Sequence, residues 1–122
     1  PGETIRCIYE SLALRYAEVW AKLPNYTDQA PDCLHIVGGG CQDKLLNQFT
    51  ANALGAKVLA GPVEATGLGN IIAQMMADGV IETLAQGREI VAKSFPLESY
   101  EPVDTADWDA VKERFAQLSQ SD

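Results

Sequence analysis

The sequence predicts an α/β domain in which short parallel strands pack against helices, and three observations carry that expectation. An apolar run at residues 33–37 stops at three consecutive glycines and passes into a segment with helical spacing. A second short apolar run, residues 57–60, follows that helix, and a long amphipathic stretch precedes both. Apolar runs of four or five residues bounded by turn formers read as strands, and recurrence at three- and four-residue steps reads as helix. A strand–helix–strand crossover of this length closes right-handed with its strands parallel.

The first element spans residues 3–23. Ile5, Ile8, Tyr9, Leu12, Tyr16, Val19, Trp20 and Leu23 recur as one helical face, with Glu3, Arg6, Glu10, Arg15, Glu18 and Lys22 mostly off it as a solvated surface. Pro24 and Asn25 end this helix, and residues 25–32 read as a loop. Residues 33–37 form a strand apolar on both faces, as expected in the middle of a sheet, with His35 as a satisfied core residue. After Gly38, Gly39 and Gly40 a helix over about residues 42–54 buries Leu45, Leu46, Phe49, Ala53 and Leu54, and Gly55 sits where a left-handed cap belongs.

Residues 57–60 are the second strand, stopped by Gly61-Pro62. Residues 63–76 turn into a helix whose Gly67 and Gly69 cost propensity, which is explained by close approach of another backbone or of a ligand, with packing favoured. Met75 and Met76 read as core filler. Asp78-Gly79 breaks that helix; another over about residues 82–94 turns Leu84, Ile90 and Val91 inward and is weakened at Gly87. Residues 97–103 are extended. Thr105 then caps a last helix reaching about Gln120, with Trp108, Val111, Phe115 and Leu118 as its apolar stripe.

Composition bounds the function. A chain of 122 residues, 47% apolar and 21% charged, is an ordinary globular sequence with one modest core. A formal net charge of −8 argues against a surface that grips nucleic acid by its phosphates, yet leaves room for a local phosphate site built from uncharged backbone amides. No stretch reaches the ~18 apolar residues of a membrane span and no leader pattern opens the chain, so a soluble, cytoplasmic protein is expected. Cys7, Cys33 and Cys41 fit neither a disulfide framework nor a zinc site, and Cys41 has no base beside it. The opening Pro1-Gly2, without a start methionine, suggests a processed product or a piece of a longer protein.

Chemistry concentrates on the glycines. One histidine in a strand cannot serve a catalytic triad, and no His/Cys cluster offers metal ligands. Gly38-Gly39-Gly40 is not a P-loop, since no Gly-Lys-Ser/Thr follows, nor a dinucleotide fingerprint, since the spacing differs. On the triplet alone two readings stay open: a tight, closely packed turn, or a seat where backbone N–H groups at a helix start meet an anion such as phosphate.

The surrounding residues bear on that choice. Val37 through Gln48, then Ala51, Gly55, Val58 and above all Gly61-Pro62-Val63-Glu64-Ala65-Thr66-Gly67-Leu68-Gly69-Asn70-Ile71, closely resemble the C-terminal region of FGGY-family carbohydrate kinases. Within the family, the Gly-Pro-Val-Glu-Ala-Thr stretch followed by Leu-Gly-Asn is most similar to members that phosphorylate L-rhamnulose. The resemblance covers nearly the whole chain, including Arg6, Glu10, Ser11, Leu12 and Ala13. It implies that residues 1–122 are the C-terminal part of the second, ATP-binding domain of an actin-like (ribonuclease H-like) kinase using ATP and Mg²⁺.

The resemblance further implies nucleotide contacts at Gly38, Gly39 and Gly40, with Gly39 the direct one, Gln42 as a neighbour, and Asp43 where the family often has Asn near the adenine. A carboxylate there accepts a hydrogen bond from the adenine amino group but donates none. The partners implied are ATP, a small sugar and the remainder of the kinase chain, with no nucleic acid or membrane. No catalytic base is assigned within the chain: Asp28, Asp32, Asp43 and Glu64 have no motif support, and the isolated chain is expected to be inactive. The alternatives are a non-catalytic structural or binding module, or part of another FGGY kinase acting on L-fuculose, L-xylulose or D-xylulose.

Overall fold

The structure, a computed structural model, describes residues 1–119. Helical spacing at the start becomes α1 (Gly2–Lys22), ending in a 3-10 turn at Leu23–Asn25 where Pro24 lacks the N–H that a continuing helix needs. Then come β1 (Cys33–Ile36), a 3-10 turn at Gly39–Gln42, α2 (Lys44–Leu54) and β2 (Lys57–Ala60). α3 (Ala65–Ala77), α4 (Leu84–Ser94), β3 (Glu98–Tyr100) and α5 (Thr105–Ser119) follow. The described residues form a mixed α/β domain with five α-helices and one three-stranded sheet.

β1 and β2 pair in parallel, Leu34 opposite Val58 and Ile36 opposite Ala60, as the crossover through α2 requires. β3 runs antiparallel on the other side of β2, Val58 opposite Tyr100, so the sheet is mixed and the extended stretch 97–103 pairs only over three residues. β1 is thus an edge strand among the described residues, which corrects its expected place in mid-sheet. His35 is correspondingly exposed, not in the core. Its ring is nonetheless satisfied, because Nε2–H donates to the Gly61 carbonyl at 2.6 Å.

The core lies where α1 meets α2. Ala13 and Ala17 face Ala53, with Phe49, Leu54 and Trp108 packed around them and the Phe49 and Trp108 rings 5.3 Å apart between centroids. The face expected to be inward on α1 is largely out: Ile5, Ile8, Leu12, Tyr16 and Val19 are exposed, and Ala13, Leu14 and Ala17 are buried. Small side chains let two helix backbones approach closely, and that contact, not side-chain size, sets the rotation of α1.

α2 brings a second correction. Leu45 is exposed, while the fully or nearly buried positions include Asn47, Thr50 and Asn52. Two of these are satisfied: Thr50 Oγ1 donates to the Leu46 carbonyl at 2.7 Å, and Asn52 Oδ1 accepts from Gln48 Nε2 at 2.8 Å and from the Val103 N–H at 3.0 Å. Hydrogen bonding removes most of the cost of burying Thr50 and Asn52. Gly55 closes the helix in the left-handed conformation as expected.

In α3 a side chain at Gly67 or Gly69 would meet nothing within 4 Å, so neither glycine serves close packing among the described residues. Gly87 does: a Cβ there would lie 2.6 Å from Ile72 Cγ2, which makes it the crossing point of α3 and α4 and not a weak spot. Contact between the two helices is limited, and Leu84, Ile90 and Met76 are exposed, against expectation. On α5, Trp108 and Phe115 are half-buried while Val111 and Leu118 are exposed. Thr105 is its first helical residue, not its cap, and Gln120 lies outside the described residues.

Candidate functional site: the glycine bend at the edge of the parallel strands

The sequence between β1 and α2 builds a bend with three parts. Gly38 has φ +80 and ψ −170, a backbone conformation open to glycine, and its N–H donates to the Pro62 carbonyl at 3.1 Å. The Cys41 N–H then returns to the Gly38 carbonyl at 3.1 Å, closing the 3-10 turn. Asp43 ends the turn and caps α2, its Oδ1 accepting from the Leu46 N–H at 3.0 Å. Opposite, the Gly61 N–H reaches the Ile36 carbonyl at 2.8 Å, and the Gly61-Pro62 peptide is cis.

Gly39 and Gly40 differ from Gly38. Both are exposed, neither has positive φ, and a Cβ at either would meet nothing within 4 Å. Among the described residues their N–H groups donate to no backbone carbonyl outside the turn. Packing among the described residues therefore does not require glycine at these two positions, and what the missing side chains leave is open approach to two free backbone donors. The bend lies at the C-terminal ends of two parallel strands, the edge at which open α/β sheets take ligands.

Beside it is a cleft of about 410 Å³, lined by Cys41, Gln42, Lys44, Pro62, Glu64 and Glu98 among others. Lys44 Nζ pairs with Glu98 Oε1 at 3.0 Å, both groups well exposed, and Tyr100 OH donates to the other Glu98 oxygen at 2.5 Å. Tyr100 and then Lys44 hold the Glu98 carboxyl below its usual range, while Glu98 keeps Lys44 above its own. A larger hollow of about 690 Å³ runs between α1 and α5 past Arg6, Glu10, Trp108 and Arg114. It arises because α5 covers α1 only in part, and it shares no residue with the bend.

The predicted residues Gly38, Gly39, Gly40, Gln42 and Asp43 thus form one continuous bend, with Gln42 on the cleft wall. Asp43 has structural work already: besides capping α2, its Oδ2 accepts from the Tyr9 hydroxyl of α1. That bond, then the Leu46 N–H, hold its carboxyl below the ordinary range, and the same bond holds the Tyr9 hydroxyl above its own. Sequence reasoning missed Asn47, fully buried with Nδ2 donating to the Cys41 carbonyl at 2.8 Å. An Asn in the first turn of a helix after a glycine bend was the available signal. Among the described residues no three His, Cys, Asp or Glu side chains gather as a metal site would need, and no helix is long and apolar enough to cross a membrane.

Comparison with known proteins adds the following. Residues 1–77 match the FGGY family of carbohydrate kinases, C-terminal domain. A rhamnulokinase of Bacteroides thetaiotaomicron is 48% identical over 109 residues, covering 89% of this chain and 22% of that protein. One of Yersinia pestis is 44% identical over 119 residues, 98% of this chain and 24% of the relative. One of Halalkalibacterium halodurans is 39% identical over 104 residues, 85% and 22% respectively. The chain therefore spans roughly a fifth to a quarter of the length of these relatives.

Proposed function

Since the chain belongs to the FGGY family of carbohydrate kinases and is most like rhamnulokinases, we propose that it is the C-terminal part of an actin-like ATP-binding domain whose glycine bend seats the nucleotide. In this reading Gly38 shapes the bend, the N–H groups of Gly39 and Gly40 face the nucleotide, and Gln42 and Asp43 lie beside it. The parent enzyme transfers the γ-phosphoryl group of ATP to a sugar hydroxyl, L-rhamnulose by the likeness to its relatives, in the cytoplasm. The carboxylate base comes from polypeptide outside this chain, so the 122 residues alone do not turn over.

One observation carries the reading: Gly39 and Gly40 are open and their amides free, where a purely packed turn would have filled the space above them. Such a surface suits an anionic or polar ligand brought close to backbone. Mg²⁺ would travel with the phosphates, and no residue of this chain is assigned to it. The direct test is Gly39→Val in the full-length parent. A Cβ there meets no atom of the described residues within 4 Å, so the fold of this domain should be kept, and the KM for ATP rises about tenfold or more with the sugar KM unchanged. An unaltered KM for ATP overturns the proposal.

A further inference from the structure

The 3-10 turn at Gly39–Gln42 is short, and its conformation is held from beneath. Asn47 stands in the first turns of α2, fully buried, with Nδ2 donating to the Cys41 carbonyl at 2.8 Å. The amide orientation follows from chemistry, because a carbonyl only accepts and so must face the NH₂. On its other side Oδ1 is shut away from solvent with no hydrogen-bond partner among the described residues. A side chain that only filled space would do so better without polar atoms, since a buried unpaired acceptor is costly. The donor of this amide holds the Cys41 carbonyl in the middle of the bend, and the same side chain also hydrogen-bonds Tyr100 on β3. The Cys41 side chain is itself buried beside it.

We infer that Asn47 is a positioning residue for nucleotide binding: by anchoring the Cys41 carbonyl it fixes the direction in which the Gly39 and Gly40 N–H groups point. This rests on the reading of the bend as the nucleotide seat and adds a residue that does not touch the nucleotide. With the anchor gone, the turn samples other conformations and the aligned donors are populated only part of the time, which weakens apparent affinity by that fraction.

The test uses the full-length parent kinase and three variants. Asn47→Leu keeps the branched shape at greater bulk and removes both the donor and the orphan acceptor. It should raise the KM for ATP about fivefold, leave kcat and the sugar KM within about twofold, and speed amide exchange across residues 38–43. Asn47→Asp is nearly isosteric and secures the test should the leucine variant fail to fold. Its ionised form has no proton to donate and repels the Cys41 carbonyl, so the KM for ATP rises near neutrality and falls back towards the parent in acid, where the carboxyl O–H donates. The parent is followed over the same pH range, because Asp43 at the cap of α2, Lys44 on α2, Tyr9 on α1, Glu98 and Tyr100 on β3 and the Cys41 thiol surround the site.

Gly39→Val is the third arm. If it raises the KM for ATP while both Asn47 variants stay within about twofold of the parent, the inference is overturned and the bend stands as the seat. If none of the three moves the KM, the bend reading fails and takes this inference with it. A raised KM in the Asn47 variants with unchanged exchange across residues 38–43 also overturns it, because the effect would not run through the turn.

Discussion

The bend after β1 and the helix pair α3–α4 both carry clustered glycines, yet the missing side chains do opposite things in the two places. At the bend Gly38 is needed for its backbone conformation, and Gly39 and Gly40 leave space that no atom of the described residues fills. Between α3 and α4 the necessary glycine is Gly87, where Ile72 occupies the position a Cβ would take. Gly67 and Gly69, which look more prominent in the sequence, face open space on α3. A glycine thus reports only that a side chain is absent; whether the vacated volume holds protein, ligand or water depends on what the fold brings opposite.

That contrast can be broken in three ways, of decreasing size. Gly87→Leu forces α3 and α4 apart against a β-branched neighbour and should destabilise the domain by about 2–3 kcal/mol in urea unfolding. Combining it with Ile72→Ala should return part of the loss, and a pair that simply adds would show that the crossing is not the cause.

Asp43→Ala removes the cap of the bend region and should cost about 1 kcal/mol near neutral pH. Because the Asp43 carboxyl is held below its ordinary value in the fold, its stabilisation is complete above the ordinary carboxylate range and is lost as pH falls through the lowered value. The raised Tyr9 hydroxyl acts in the other direction, stabilising below the ordinary tyrosine range and fading as pH rises through its own value. The gap in melting temperature between parent and variant should therefore be widest near neutrality and close in acid. Thr83→Ala serves as the contrast. Thr83 caps α4 with an uncharged hydroxyl, in a box with Gln86, so its loss should show no such closing.

The smallest effect is Gly69→Ala. With nothing within 4 Å to clash, alanine should stabilise the helix by about 0.5–1 kcal/mol, read as a higher melting temperature. A lower one would mean that the open face of α3 is covered after all.

Local chemistry made much of this fold readable in advance. The strand, bend, helix and strand of residues 33–60 follow from an apolar run, a glycine stop, helical spacing and the Gly55 cap, all of which act within a few residues. The orientation of α1 was not readable, because it depends on Ala13 and Ala17 finding Ala53, a contact between distant segments that large residues such as Ile5 and Val19 do not announce. Buried Asn47, Thr50 and Asn52 were hidden for a similar reason. Asn47 and Asn52 find the Cys41 carbonyl and the Val103 N–H only in the fold, while Thr50 bonds the Leu46 carbonyl within its own helix. At the candidate site the motif pointed to the bend as a unit, but the distinction between Gly38 and its two open neighbours required backbone angles.

The two crossed hydrogen bonds at the strand ends, Gly38 N–H to Pro62 and Gly61 N–H to Ile36, have a mechanical meaning. They rivet the exits of neighbouring strands, so a push on the segment leaving β2 reaches the loop leaving β1 directly, without travelling through α2. Stretches far apart along the polypeptide share a single joint there, and a shift in one is transmitted to the other.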